Sequence, residues 1–341
     1  MTACRSAFAH TVFLIMVLSG SGYFQLLTAQ VSHGGTPLSF GSHFRSLKLT
    51  DQWVSTEKVA SAESIQTLIE QSQEVADNLF AAAIPVNFNL YNSGKWVSLW
   101  NGDRLWRLKV QSEGALSLRV LFDSLWIPPG GRLYLYDESG QQVLGAFTYQ
   151  NNTPGRRFGT DMINHHTVIV EYYEPQSVLG QGVLSIFRVD HGFKPFTLDE
   201  NPDPEPHLKN GQETLRFGNS SSCNVNVSCV GETWSQQRRG IVNIVLTSAN
   251  GSGWCTGTLI NNTARDRTPY ILSAQHCEDD DGGQSFVDTW VFLFNYESGT
   301  CENPEAEPSR AQSVSGATIV ASYDSSDFLL LKLENTIPPV L

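Results

Sequence analysis

The chain has 341 residues, 40% of them hydrophobic and only 16% charged, with a net charge of −12. That length suggests about two domains, and the composition excludes a disordered polar chain. The acidity excludes the basic stripes with which proteins grip nucleic acid.

The first thirty residues hold Arg5, a short apolar run over Thr11–Leu18 and small residues leading to Ala29. The run is too short to span a bilayer and reads as a secretory signal peptide over residues 1–29. The expectation is a secreted protein, extracellular or periplasmic, with no membrane contact once the signal is removed. Residues 30–56 show little periodicity. From Glu57 to Ala83, residues Ile65, Leu68, Ile69, Val75 and Leu79 recur at roughly helical spacing. They predict one or two helices with an apolar face, ended at Ile84-Pro85.

From Trp96 to Phe193 the pattern changes to strands: RLWRLKVQS, LSLRVLFDSLWI, RLYLYDES, HTVIVEYYE and GVLSIFRVD are rich in β-branched and aromatic residues. PPGG, DESG and NTPG separate them as turn signals, so a β-sandwich is predicted. His165 and His166 fall at the start of one predicted strand. Adjacent strand residues face opposite sides, so the two are not expected to share an ion. HExxH and CxxC are both absent from the sequence; no metal and no cofactor is expected.

Residues 198–217 contain NPDPEP, which builds neither helix nor central strand, and read as a cleavable linker. Beyond Cys4, the cysteines are Cys223, Cys229, Cys255, Cys277 and Cys301. Export permits disulfides, and an odd number leaves one thiol without a partner in this sequence.

After the linker, GIVNIVLT, WCTGTLI and PYILSA read as three strands, the last delivering His276. A Cys255–Cys277 bridge would fix the backbone beside that histidine, as a general base requires. Farther on, Asp327 stands at the mouth of the apolar strand in YDSSDFLLLKL. A carboxylate there can accept the histidine Nδ1–H and leave Nε2 free to take a proton; Asp324 offers the same chemistry. Ser252 and Ser315 read as turn residues and not as nucleophiles. The acidic run EDDDGG after Cys277 lacks the spacing of a calcium loop and reads as a solvated surface segment.

CTGTLI, YILSAQHC and SDFLLLKL together resemble the His and Asp blocks of trypsin-like serine proteases, most closely the bacterial lysyl endopeptidases. SCNVNVSC and TGTLINNT carry the likeness to that branch, over roughly residues 218–341. The resemblance implies a two-barrel fold, a serine nucleophile and peptide-bond cleavage, possibly after Lys or Arg. It implies His276 as general base oriented by Asp327, bridges Cys255–Cys277 and Cys229–Cys301, and a partner for Cys223 in the second barrel. No G-x-S-G motif follows Asp327, so this stretch is expected to hold the first barrel only and to be inactive by itself.

The expected architecture is mainly β. A β-sandwich-like pro-region over residues 30–197, headed by a helical segment, precedes the first β-barrel half of a chymotrypsin-like double barrel over 218–341. Expected partners are protein or peptide substrates and the chain's own pro-region. The competing reading is a non-enzymatic secreted β-sandwich binding protein with a decayed protease half.

Overall fold

A computed structural model describes residues 32–41, 54–75, 79–194, 225–279, 286–302, 308–335 and 337. The signal segment, the linker and Cys223 lie outside the described residues, so the expectations for them are neither met nor refuted.

The N-terminal half contributes β1 (Ser55–Lys58), helix α1 (Ala62–Val75), β2 (Leu79–Asn89), β3 (Lys95–Ser98), β4 (Arg104–Gln111) and β5 (Ser117–Trp126). It continues with β6 (Arg132–Tyr136), β7 (Val143–Phe147), β8 (Phe158–Ile163), β9 (Thr167–Glu174) and β10 (Val183–Gly192). Strands β1, β4, β9, β6 and β7 form one sheet, with β3 on β4. β2, β10, β5 and β8 lie in a second. Alternate residues of the two sheets face each other: Trp106, Leu108, Val168 and Val170 from one pack against Leu118, Val120, Phe122 and Ile186 from the other. This is the predicted sandwich, its core made by the period-2 alternation that the sequence displays.

One prediction is corrected. The helix ends at Val75, and Leu79 and Ala81–Ala83 belong to β2, not to a helix. Pairing with β10 overrides the helical preference of the alanine tract. Pro85 lies inside β2, opposite Arg188 at a register shift, a bulge site where a strand tolerates a residue without an N–H donor.

The C-terminal half contributes β11 (Ile241–Thr247), β12 (Gly251–Ile260), β13 (Tyr270–Ser273), β14 (Val291–Phe294), β15 (Ser313–Ser315), β16 (Ala317–Tyr323) and β17 (Phe328–Leu333). Antiparallel pairing runs β14–β11–β12–β13–β17–β16, and β15, joined to β16 through Gly316, pairs back onto β14. The ring is nearly closed, a small barrel around Val242, Ile244, Ile271, Phe292, Leu329 and Leu331.

The two halves share a sheet. β2 pairs with β12 through Gly251↔Ala82 and Ser252↔Ala81, so eleven strands are continuous from sandwich to barrel. A Cβ on Gly251 would lie 1.8 Å from the Ala81 carbonyl oxygen; glycine is the residue that allows this approach. Phe80, Ala81 and Met162 of the sandwich pack on Val245, Val291 and Leu293 of the barrel.

Arg119 of β5 is fully buried at this seam. Its guanidinium donates to the carbonyls of Thr160 (2.7 Å), Leu246 (3.2 Å) and Thr289 (2.7 Å). It also donates to the hydroxyls of Thr247 and Ser252, each at 2.8 Å. A buried cation persists only when its donors are met, and here barrel atoms meet most of them. Burial lowers its pKa to about 10, so it stays charged at neutral pH. Arg188 and Asp190 form an ion pair beside it, and Arg188 also donates to the Ser248 carbonyl.

Candidate active site

Strands β13 and β17 are antiparallel neighbours, with Ser273 opposite Leu329. The residues that follow β13 and the residue that precedes β17 therefore meet at one end of the barrel. His276 is in the first group and Asp327 is the second. The alternation that buries Leu329, Leu331 and Leu333 fixes the register that sets Asp327 at the rim.

Asp327 grips His276 twice. Its Oδ1 accepts the His276 backbone N–H at 2.9 Å, and its Oδ2 lies 2.8 Å from His276 Nδ1. The hydrogen bonds from the His276 backbone and ring hold the Asp327 carboxyl below the usual carboxylate range. An ionised carboxylate only accepts, so Nδ1 carries a proton, and in the neutral imidazole Nε2 then presents its lone pair. Asp324, which offers the same chemistry in the sequence, takes a different part. It opens a 3₁₀ turn, and its carbonyl accepts the Asp327 N–H at 2.9 Å.

Asp327 itself sits in the left-handed region (φ 53°, ψ 43°) as the cap of that turn. Such backbone is uncommon outside glycine, though Asp is among the residues that tolerate it, and it concentrates at functional sites. Both side chains are more than half exposed, 63% for His276 and 51% for Asp327. The described residues brace the pair from one side and leave it open on the other.

The brace is covalent. Cys255 of β12 is bonded to Cys277, and Cys229 to Cys301. The first bridge ties the residue after His276 to β12, the strand next to β13 in the barrel, with Cys277 buried. Ser273 Oγ adds a hydrogen bond to the Thr256 carbonyl at 2.8 Å. One donor atom each from Cys255, His276 and Cys277 lies within 4.8 Å of the others, but both sulfurs are spent in the disulfide, so no thiolate is available for a metal.

Neither serine weighed from the sequence approaches the histidine. Ser252 is buried in β12, not in a turn, and hydrogen-bonds Arg119 and Asp190. Ser315 is buried and donates to the Gly159 carbonyl at 3.0 Å. Among the described residues no hydroxyl is hydrogen-bonded to His276 Nε2. A cleft of about 460 Å³ opens beside Asp161 and Arg310, and neither His276 nor Asp327 lines it.

An exposed histidine held by a carboxylate on a disulfide-braced barrel end is an arrangement that can serve as a base with its orienting partner. Comparison with known proteins narrows the class. Residues 217–341 match the family model for the lysyl endopeptidase C-terminal domain. The chain is also 25% identical over 256 residues to a lysyl endopeptidase of Pseudomonas aeruginosa, an alignment covering 72% of this chain and 52% of that one. The chain thus spans about half the length of this curated relative. Both similarities support a protease-family, lysyl endopeptidase-like origin. Among solved structures, a tail fibre protein of an Escherichia coli phage matches with a TM-score of 0.18 and 10% identity over 76% of this chain and 38% of that one. That likeness is too slight to inform the fold.

Proposed function

We propose that this sequence carries the pro-region and first barrel of a secreted trypsin-like serine endopeptidase precursor, with His276 as general base and Asp327 as its orienting partner. The observation that carries the reading is the double grip of Asp327 on the His276 amide and Nδ1. In a serine mechanism Nε2 takes the hydroxyl proton during attack and returns it to the leaving amine, while the aspartate stabilises the imidazolium between the two steps. The lysyl endopeptidase likeness suggests peptide substrates cut after Lys or Arg. The disulfides fit an oxidising, exported setting, and no helix among the described residues is long and apolar enough to cross a membrane.

Residues 1–341 hold no G-x-S-G motif, and among the described residues no hydroxyl is hydrogen-bonded to His276 Nε2, so residues 1–341 alone are proposed to be inactive. The sandwich is proposed to be the barrel's partner in the precursor, joined by the β2–β12 pairing and by Arg119. The test is hydrolysis of Lys- and Arg-amide substrates by the purified chain. No turnover above buffer is expected. Turnover abolished by His276→Ala would contradict the inactivity and point to a nucleophile within this sequence.

A further inference from the structure

We propose that Glu138, His165 and His166 form a binding site for a divalent transition-metal ion, with zinc the best-matched species. The sequence placed the two histidines on opposite faces of a strand. In the structure they precede β9, in the tight turn after β8, and strand alternation does not apply to them. Their rings stack on the same side, with centroids 4.3 Å apart and planes at 28°. One ring nitrogen of each and one carboxylate oxygen of Glu138 lie within 4.8 Å of one another. Two imidazoles and a carboxylate are a donor set that suits zinc, whose bonds to N and O are about 2.0–2.2 Å long. Glu138 and His166 are exposed, so side-chain rotation alone can close the remaining distance.

The backbone beneath the three ligands is already fixed. His165 N–H donates to the Ile163 carbonyl at 2.9 Å, and the His166 carbonyl accepts from Ser112 N–H at 2.9 Å. On the other side, Asp137 accepts from the N–H groups of Ser139 (3.0 Å) and Gln142 (2.7 Å) around Glu138. Gln142 joins the two turns, because its Oε1 accepts the Asn164 N–H at 2.7 Å. Thr167 N–H donates to His165 Nδ1 at 3.1 Å; an ion bound through either ring nitrogen would displace that hydrogen bond, because an imidazole coordinating through one nitrogen carries its proton on the other. Lys109 is paired with Glu138 and competes with a cation for the carboxylate.

Glu138 follows β6 of the six-stranded sheet, and the histidines lie where the chain passes from β8 of the larger sheet to β9 of the smaller. A bound ion would clamp these connections and stabilise the sandwich, because it binds the folded state alone.

The test is calorimetric titration of the chelator-treated full chain with ZnCl₂, with Co²⁺ absorption as a report on coordination. The expected result is one zinc per chain, tetrahedral cobalt absorption and a melting temperature raised by zinc but not by Mg²⁺. His166→Ala and Glu138→Gln are each expected to weaken zinc tenfold or more without altering metal-free melting, and Lys109→Met to tighten it. No zinc binding by the full chain, or unchanged affinity in His166→Ala, would overturn the assignment.

Discussion

Asp327 shows how much depends on a single backbone conformation. Its left-handed φ turns the carboxylate back across the barrel rim, where it meets both the amide and the ring of His276. The structure brings together the pair expected from a histidine after one apolar strand, an aspartate before another and the family resemblance. The turn that sets Asp327 against the ring was not legible, because the sequence does not declare its φ. The lowered Asp327 pKa fixes a sign. A carboxylate depressed in the fold favours the folded pair above its unfolded value and loses that contribution as pH falls through the folded one. The Asp327–His276 contact is therefore expected to survive at pH 5 and to break only below the ordinary carboxylate range, as followed by the Asp327 carboxyl carbon shift. Arg119 was missed altogether. Its one signal was a lone arginine inside the apolar run LSLRVLF. Arg119→Met strands the acceptors of Thr160, Leu246, Thr247, Ser252 and Thr289, and is expected to cost about 3–5 kcal/mol in denaturant unfolding.

Strand β2 is the element on which the two halves turn. Its alanine tract reads as helix in isolation, and only partners supplied from far along the chain, β10 and β12, make it a strand. Non-local pairing of this kind leaves no local trace in sequence, whereas the five runs with clear alternation were all recovered as strands. Gly251→Val is expected to open the seam, because its side chain has no room against the Ala81 carbonyl. The check is amide exchange at Ala83, whose N–H donates to the Asn250 carbonyl at 2.9 Å; it should accelerate, while Val242 in the barrel stays protected. The Cys255–Cys277 bridge closes a short loop, with a separation of 22 residues. Replacing both with serine is expected to lower stability by about 2–4 kcal/mol, measured by unfolding under non-reducing conditions.

Across the whole molecule, the sandwich and the barrel are held by paired strands, an apolar patch and buried charge together. Arg157 of the sandwich meets Asp288 of the barrel at 3.2 Å, and Glu334 stands behind them. Burial, and then the Asp288 charge, pushes Glu334 up to about 7, from an ordinary value of 4.5; burial also raises Asp288. A raised acid holds its proton in the fold and loses it in the unfolded chain, so stability falls as pH rises between about 4.5 and 7. Glu334→Gln is expected to flatten that slope in melting curves across this range. The mainly β architecture was legible because alternation and turn chemistry are local. The shared sheet and the exposed state of the His–Asp pair were not, because both depend on how distant surfaces meet. The central claim is that Asp327 sets His276 as a base with a free Nε2. The most direct test is the ¹⁵N shift pair of His276 in histidine-labelled protein at neutral pH, assigned against His276→Gln. The account predicts the Nδ1–H tautomer, lost in Asp327→Asn; an Nε2–H tautomer, or a ring indifferent to Asp327→Asn, would contradict it.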